Sequence, residues 1–328
     1  MGRTVFVISF CAWFLTGCVG EAPRDNPSDP LSPSFKEEGS LSGRVIVENQ
    51  STGIAGVTVT ELSDSISVLT DSAGYFSFGT LSEGSHQFVC TKSNFANDTF
   101  TVTIASGKNV NVVRQLNGAP VVLMQSILTR KIDQYFPSPQ YFVDISAAVT
   151  DPNGVADLDS VWFKVDTLKY PLSYSVDSKT FITTIYKYDI PTNTIQWLVG
   201  KPLTIVSKDV HGAVSTGDPF YITRVIENEA TPISPAPANS DTVSVDSLTF
   251  TWSPPNVTFN YSYTITVYRV DGGTKTLAWT YENLDSYYEE LRYSDNGSIV
   301  AGNHVWTISV VDEFGNYARS KESSFVVK

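Results

Sequence analysis

The chain has 328 residues and a formal net charge of -12, with 22 Lys and Arg against 34 Asp and Glu. An acidic chain with no basic run repels nucleic acid, which argues against nucleic-acid binding. The length suits about two to four domains, and a composition with 16 Tyr, 18 Phe and only 2 Met suits pleated, half-buried strands better than helices. In chain order, Arg3 and then the apolar stretch Val5 to Leu15 form a positive n-region and a short h-region, which is an export signal. The stretch is interrupted by Thr16, Gly17, Cys18 and Glu21, so it falls short of the roughly 20 apolar residues that a membrane span needs.

The segment Leu15-Thr16-Gly17-Cys18 resembles a bacterial lipobox. The resemblance implies that residues 1–17 are a lipoprotein leader, that the mature chain begins at Cys18, and that a diacylglycerol on its thiol anchors the chain to a membrane. Val19 rather than Asp follows, which in a two-membrane bacterium points to the outer membrane, with either face open. The alternative is an ordinary signal peptide in which Cys18 is incidental. Residues 18–40 hold Pro23, Pro27, Pro30 and Pro33 among Asp, Asn, Ser and Glu, and read as a disordered Pro-rich tether. With Cys11 in the leader and Cys18 lipidated, Cys90 is left without a disulfide partner and reads as a small buried apolar side chain.

Residues 41–117 alternate in short runs between glycine turns: Gly43 to Val47, Ala55 to Val59, Gly74 to Phe78, and His86 to Val89. Such period-two runs predict an all-β module. The order Gly43-x-Val45, Gly53-Ile54-Ala55-Gly56-Val57-x-Val59, Thr70-Asp71-x-x-Gly74-x-Phe76-x-Phe78, Leu81-x-x-Gly84 and Phe95 resembles the carboxypeptidase regulatory-like domain, a prealbumin-type sandwich. Modules of that family are usually accessories, and some are grouped with carbohydrate-binding folds.

Residues 118–228 carry the strand-like runs Tyr141 to Ala147, Ser160 to Val165 and Leu203 to Ser207, and resemble a bacterial immunoglobulin-like sandwich. Residues 229–328 contain Leu248-x-Phe250-x-Trp252-x-x-Pro255, Tyr261-x-Tyr263-x-Ile265-x-Val267, Gly302-x-x-x-Trp306-x-Ile308 and Asp312-x-x-Gly315-Asn316, and resemble a fibronectin type III-like domain. His304 stands where that family often has Tyr. Thr204-Ile205-x-x-x-Asp209-x-x-Gly212 and Thr307-Ile308-x-x-x-Asp312-x-x-Gly315 share one spacing, as two copies of one closing hairpin would. The expected fold class is therefore all-β, with tandem β-sandwich domains.

Chemistry is sparse. His86, His211 and His304 fall in three different expected domains, so no nucleophile, base and orienter are brought together and no zinc spacing exists. No cofactor is implied except calcium, for which Asp151, Asn153, Asp157 and Asp159 crowd oxygen ligands onto one stretch. The same residue types also close turns through their own backbone, the spacing is not that of an EF-hand, and no bidentate Glu follows. Trp279, Tyr281, Tyr287, Tyr288 and Tyr293 are candidates for a glycan-stacking platform, or else for core and cross-strand pairs. The expected function is non-catalytic: a lipid-anchored envelope protein presenting sandwiches to a protein or glycan ligand. The alternatives are a carbohydrate-binding accessory of a polysaccharide-utilisation system and an enzyme whose residues converge only in three dimensions.

Overall fold

The computed structural model describes residues 31–32, 38–235, 242–294 and 297–328. The leader, Cys18 and most of the expected tether lie outside the described residues. What is described is almost entirely β, with no helix of seven or more residues and none long and apolar enough to cross a membrane. The chain forms two compact units. One runs to Ile46 and includes Thr52–Lys92 and Asn97–Gln115; the other comprises Val47–Ser51, Ser93–Ala96 and Leu116–Lys328.

The first unit is built on β1 (Glu38–Val47), β2 (Thr58–Glu61), β3 (Ser67–Leu69), β4 (Tyr75–Ser82), β5 (Gly84–Thr91), β6 (Asp98–Ile104) and β7 (Asn109–Leu116). They form two sheets, ordered β4-β1-β7 and β3-β2-β5-β6. Alternation assigns the faces. Phe76 and Phe78 of β4 and Phe88 and Cys90 of β5 point inward, and their odd-even neighbours face out. Phe88 lies between Phe78 and Phe100, with ring centroids 5.2 and 5.3 Å away, so the sheets share an aromatic core. Each such side chain removed from water contributes about 1.5–3 kcal/mol.

The second unit holds two hydrophobic cores. Around the first lie β8 (Val121–Ile132), β9 (Gln140–Thr150), β10 (Leu158–Val165), β11 (Leu168–Ser175), β12 (Thr180–Tyr186), β13 (Leu203–Asp209) and β14 (Val214–Thr216). Val143, Ile145 and Ala147 of β9 pack with Val161 and Phe163 of β10 and Leu203 and Ile205 of β13. β11 pairs with β10 through Leu168–Leu172 and with β12 through Ser173–Ser175. One strand therefore links the two layers.

The second core is surrounded by β15 (Thr231–Ser234), β16 (Thr242–Val243), β17 (Thr249–Ser253), β18 (Tyr261–Asp271), β19 (Thr274–Asp285), β20 (Glu290–Arg292), β21 (Gly302–Asp312), β22 (Tyr317–Arg319) and β23 (Ser323–Val327). Phe250 and Trp252 are buried on one face of β17, and Tyr263, Ile265 and Val267 on one face of β18. Their large rings leave Trp306 fully enclosed, its indole N–H donating to the Pro235 carbonyl at 2.8 Å. The two cores are joined by backbone: β22 runs parallel to β8, pairing Tyr317 to Arg319 with Arg130 to Ile132. Thr129 reinforces the seam, since its amide donates to the Asn316 side chain at 2.8 Å.

Candidate functional site

One turn recurs through the chain. Asp71, two residues past the end of β3, and Asp209 and Asp312, the last residues of β13 and β21, each have an amide that donates to the carbonyl four residues on. The amide of the glycine at the third position after it returns to the aspartate carbonyl. Gly74, Gly212 and Gly315 have φ of 86, 93 and 87°, a left-handed geometry that β-carbon-bearing residues rarely adopt. Each aspartate Oδ1 accepts the backbone amide four residues on, from Tyr75, Ala213 and Asn316 at 2.8, 2.7 and 2.9 Å. Sequence spacing relates the second and third copies, and the backbone adds the first.

The three copies differ in how the second carboxylate oxygen is satisfied. Asp71 is exposed to water. Asp312 is buried, and its Oδ2 meets the Arg224 guanidinium at 3.1 Å and the Asn316 side-chain amide at 3.0 Å. Asp209 is completely buried, and among the described residues its Oδ2 receives only the Asn117 side-chain amide, at 2.7 Å.

Asp157 and His211 converge on Asp209. Leu158 pairs with Asp209 at the start of β10, so Asp157, the last residue of a 3-10 turn over Val155–Asp157, arrives beside the end of β13. One ligand atom each from Asp157, Asp209 and His211 lie within 4.8 Å of one another. Asp151 follows β9 directly and is 5 % exposed, with Oδ1 accepting the Asn153 amide at 2.7 Å. Burial, and then the charges of Asp157 and Asp209, push the Asp151 carboxyl above its ordinary value, while the Asn153 amide and His211 pull the other way. Asp151 Oδ2 and Asp157 Oδ2 are buried without a hydrogen-bond donor among the described residues, and so is Asn117 Oδ1. His211 lies beside them, with Nδ1 3.5 Å from Asp157 Oδ1 and Nε2 3.8 Å from Glu48 Oε2.

Of the four residues suggested by sequence, Asp157 joins Asp209 and His211, Asp151 is buried on the turn just before it, and the other two are engaged elsewhere. Asn153 is used up on backbone, accepting from the Gly118 amide at 2.8 Å and donating to the Glu48 carbonyl at 3.1 Å. Asp159 is the extra residue of a bulge, because Leu158 pairs with Asp209 and Ser160 with Lys208. It is exposed, 3.5 Å from the Lys208 ammonium. Asp209 was visible in the sequence only as a turn residue; its distance along the chain from Asp151 hid its place in the cluster.

The five aromatics separate in the same manner. Tyr293 is buried, its hydroxyl accepting the Ile299 amide at 3.0 Å. Trp279 is half-buried and stacked on core Phe250, with centroids 5.8 Å apart and planes 13° from parallel. Tyr281, Tyr287 and Tyr288 are exposed, and the last two form a pair with centroids 4.3 Å apart.

Each histidine has structural partners. His86 places Nε2 2.8 Å from the Ser82 carbonyl and Nδ1 3.2 Å from Glu61 Oε1, both side chains being buried. Burial opposes ionisation of Glu61, but the Asp64 amide, His86 and Ser63 together hold its carboxyl below the usual range. His304 is buried against Phe325 with Nδ1 donating to the Gly302 carbonyl at 3.1 Å, and burial lowers its pKa. A groove of about 410 Å³ near β15 and β23 is lined by Asp133, Glu229, Lys321 and Glu322. Its charges are met locally, Glu229 by Lys131 and Asp133 by Lys321.

Comparison with known proteins bears on the first module most directly. Residues 41–127 match the family model of the CarboxypepD_reg-like domain. No curated protein matches the chain. Among solved structures it is similar to the major pilin subunit BcpA of Bacillus cereus, at 14 % identity over 85 % of this chain and 91 % of that one, with a TM-score of 0.31. It is also similar to fibronectin(III)-like modules of CbhA from Clostridium thermocellum, at 16 % identity over 63 % and 92 %, TM-score 0.30. A DUF3823 family protein from Bacteroides ovatus is similar at 14 % identity over 56 % and 97 %, TM-score 0.24. At such identities the likeness is one of fold class alone.

Proposed function

We propose that this protein is a non-catalytic lipoprotein of the cell envelope, anchored through a lipid on Cys18 and presenting β-sandwich modules to a protein or glycan ligand. The observation that carries the reading is the N-terminal pattern: Arg3, an apolar run too short to span, and Leu15-Thr16-Gly17-Cys18 at its end. A tether of about twenty residues after the cysteine would hold the folded modules clear of the bilayer. The engagement of His86 and His304 in buried, local contacts agrees with a role in presentation rather than turnover.

The test is membrane partitioning of the chain expressed in a two-membrane bacterium. Wild type should partition into detergent and incorporate labelled fatty acid, in the outer-membrane fraction, while Cys18→Ser should be released as a soluble exported protein. One acyl chain binds a bilayer only marginally, so stable attachment requires the multi-chain lipid that the thiol carries. A Cys18→Ser protein that stays on the membrane through a salt wash would sink the proposal. A glycan ligand is the second reading, favoured by the exposed Tyr287 and Tyr288 pair. Retardation of wild type but not Tyr287→Ala by a polysaccharide gel would support it; equal migration across a panel would remove it.

A further inference from the structure

The second copy of the aspartate turn differs from the other two in its hydrogen bonds and in the charge that faces it. In the first and third copies the aspartate Oδ1 accepts two backbone amides, from Ala73 and Tyr75 and from Phe314 and Asn316. In the second, among the described residues, Asp209 Oδ1 accepts only the Ala213 amide, which leaves it a lone pair. The residue two places past the aspartate is Ala73 in one copy and Phe314 in another; here it is His211. Asp312 is answered by Arg224 at 3.1 Å, whereas among the described residues no Lys or Arg pairs with Asp209 or Asp157.

Backbone pairing fixes these side chains together. The Val210 amide donates to the Asp157 carbonyl at 2.9 Å and Leu158 pairs with Asp209, so Asp157 is tied to the segment that carries Asp209 and His211. One ligand atom from each of the three lies within 4.8 Å of the others. His211 Nδ1 stands 3.5 Å from Asp157 Oδ1, beyond the usual hydrogen-bond length. Two ligands held tetrahedrally at zinc distances stand about 3.3 Å apart, so an ion fits between these two atoms with little movement. The Asp157 side chain is nine-tenths buried and its Oδ2 has no donor among the described residues. The amides of Ala213 and Asn117 orient the Asp209 carboxylate. On the far side of the imidazole, Nε2 faces Glu48 Oε2 at 3.8 Å, in the place where a carboxylate commonly fixes the tautomer and ring of a metal-bound histidine.

We propose that Asp157, Asp209 and His211 bind a zinc ion, with water in the fourth position. One imidazole nitrogen and two carboxylates suit zinc, which takes both kinds of donor and in open sites has three protein ligands and a water. Calcium takes six to eight oxygens and has no use for the imidazole. His211 is 38 % exposed, so the set is open to solvent on one side, where an ion can enter and the water can sit. The ion would do for Asp209 what Arg224 does for Asp312, and would pin the 3-10 turn before β10 to the end of β13. Ligand spacing in the sequence hides the set, because Asp157 is far along the chain from the other two.

The test uses the full chain purified without a histidine tag, stripped with a chelator and titrated with zinc chloride or calcium chloride by calorimetry, with the melting temperature followed in parallel. One zinc per chain should bind and raise the melting temperature by several degrees. Glu48→Gln should weaken zinc binding by about 10–100-fold, and His211→Ala, Asp157→Asn and Asp209→Asn by more. His211 lies on the rim, so without metal His211→Ala should melt close to wild type; its lost response to zinc then reports a lost ligand and not a lost fold. Absence of heat and of any melting shift at micromolar zinc overturns the proposal, as does undiminished zinc affinity in His211→Ala. A response to calcium alone that survives His211→Ala overturns it in favour of an oxygen-only site.

Discussion

Replacing Arg224 by methionine should expose the cost of an aspartate turn that has lost its cation. Asp312 has a fully buried side chain, and after Arg224→Met its Oδ2 would keep only the Asn316 amide. Breaking a buried ion pair from one side costs about 3–5 kcal/mol. The guanidinium is itself 25 % exposed, so water can reach the gap and screening lowers the cost below that range, to about 2–3 kcal/mol. Methionine retains most of the packing on Phe259, and loss of the cation–π contact adds about 0.5–1 kcal/mol. Urea unfolding followed by tryptophan fluorescence reports on this region, because Trp252 and Trp306 are buried in the adjoining core. The discriminating measurement is a double-mutant cycle with Asp312→Asn, which removes the charge while keeping an oxygen for the Phe314 and Asn316 amides. The coupling energy should be about 2 kcal/mol. A loss under about 0.5 kcal/mol for Arg224→Met, or additivity in the cycle, would refute the claim that the buried carboxylate depends on its cation.

Burial pushes the Cys90 thiol up to about 12, so it should resist a thiol-reactive disulfide reagent at pH 8 in the folded chain and react at once in urea; rapid native labelling would contradict its enclosure. The unfolded thiol ionises near about 8.5 while the folded one keeps its proton, so stability should fall as pH rises above that value, and Cys90→Ala should flatten the fall. For His304 the sign is opposite. The unfolded imidazole is protonated below about 6.5 and the buried one only at lower pH, so stability is lost as pH falls through that window. Unfolding curves across the acid range should show this in wild type and less of it in His304→Phe. Gly74→Ala combines a φ of 86° with a new β-carbon 2.4 Å from the Val45 carbonyl, and should cost at least about 1–2 kcal/mol of first-unit stability by thermal melts.

Period-two alternation made most strands legible, because the pleat turns successive side chains to opposite faces whatever the rest of the chain does. Phe76 and Phe78, Phe250 and Trp252, and Tyr263, Ile265 and Val267 are buried as their spacing predicts. The aspartate turns were legible for a similar reason: carboxylate, amide and glycine all lie within five residues. Other features are decided over longer distances. Tyr293 shares its composition and neighbourhood with Tyr287, yet one is buried by a bond to Ile299 and the other is exposed. No local rule separates them, since packing across the sheet decides which is covered.

The acidic cluster divides along the same line. Sequence by itself determined that Asp151 and Asp157 lie on a turn-rich stretch and that Asp209 closes a hairpin, since these depend on neighbours in the chain. Only tertiary structure decided that Asp157 meets Asp209, through the register of β10 against β13. In an unbroken strand Asp157 and Asp159 would share a face, but the 3-10 turn carries the first inward and the bulge carries the second out to Lys208. Which acids share a site is thus set by strand pairing between residues some fifty positions apart, and the charge that must answer them follows from that pairing.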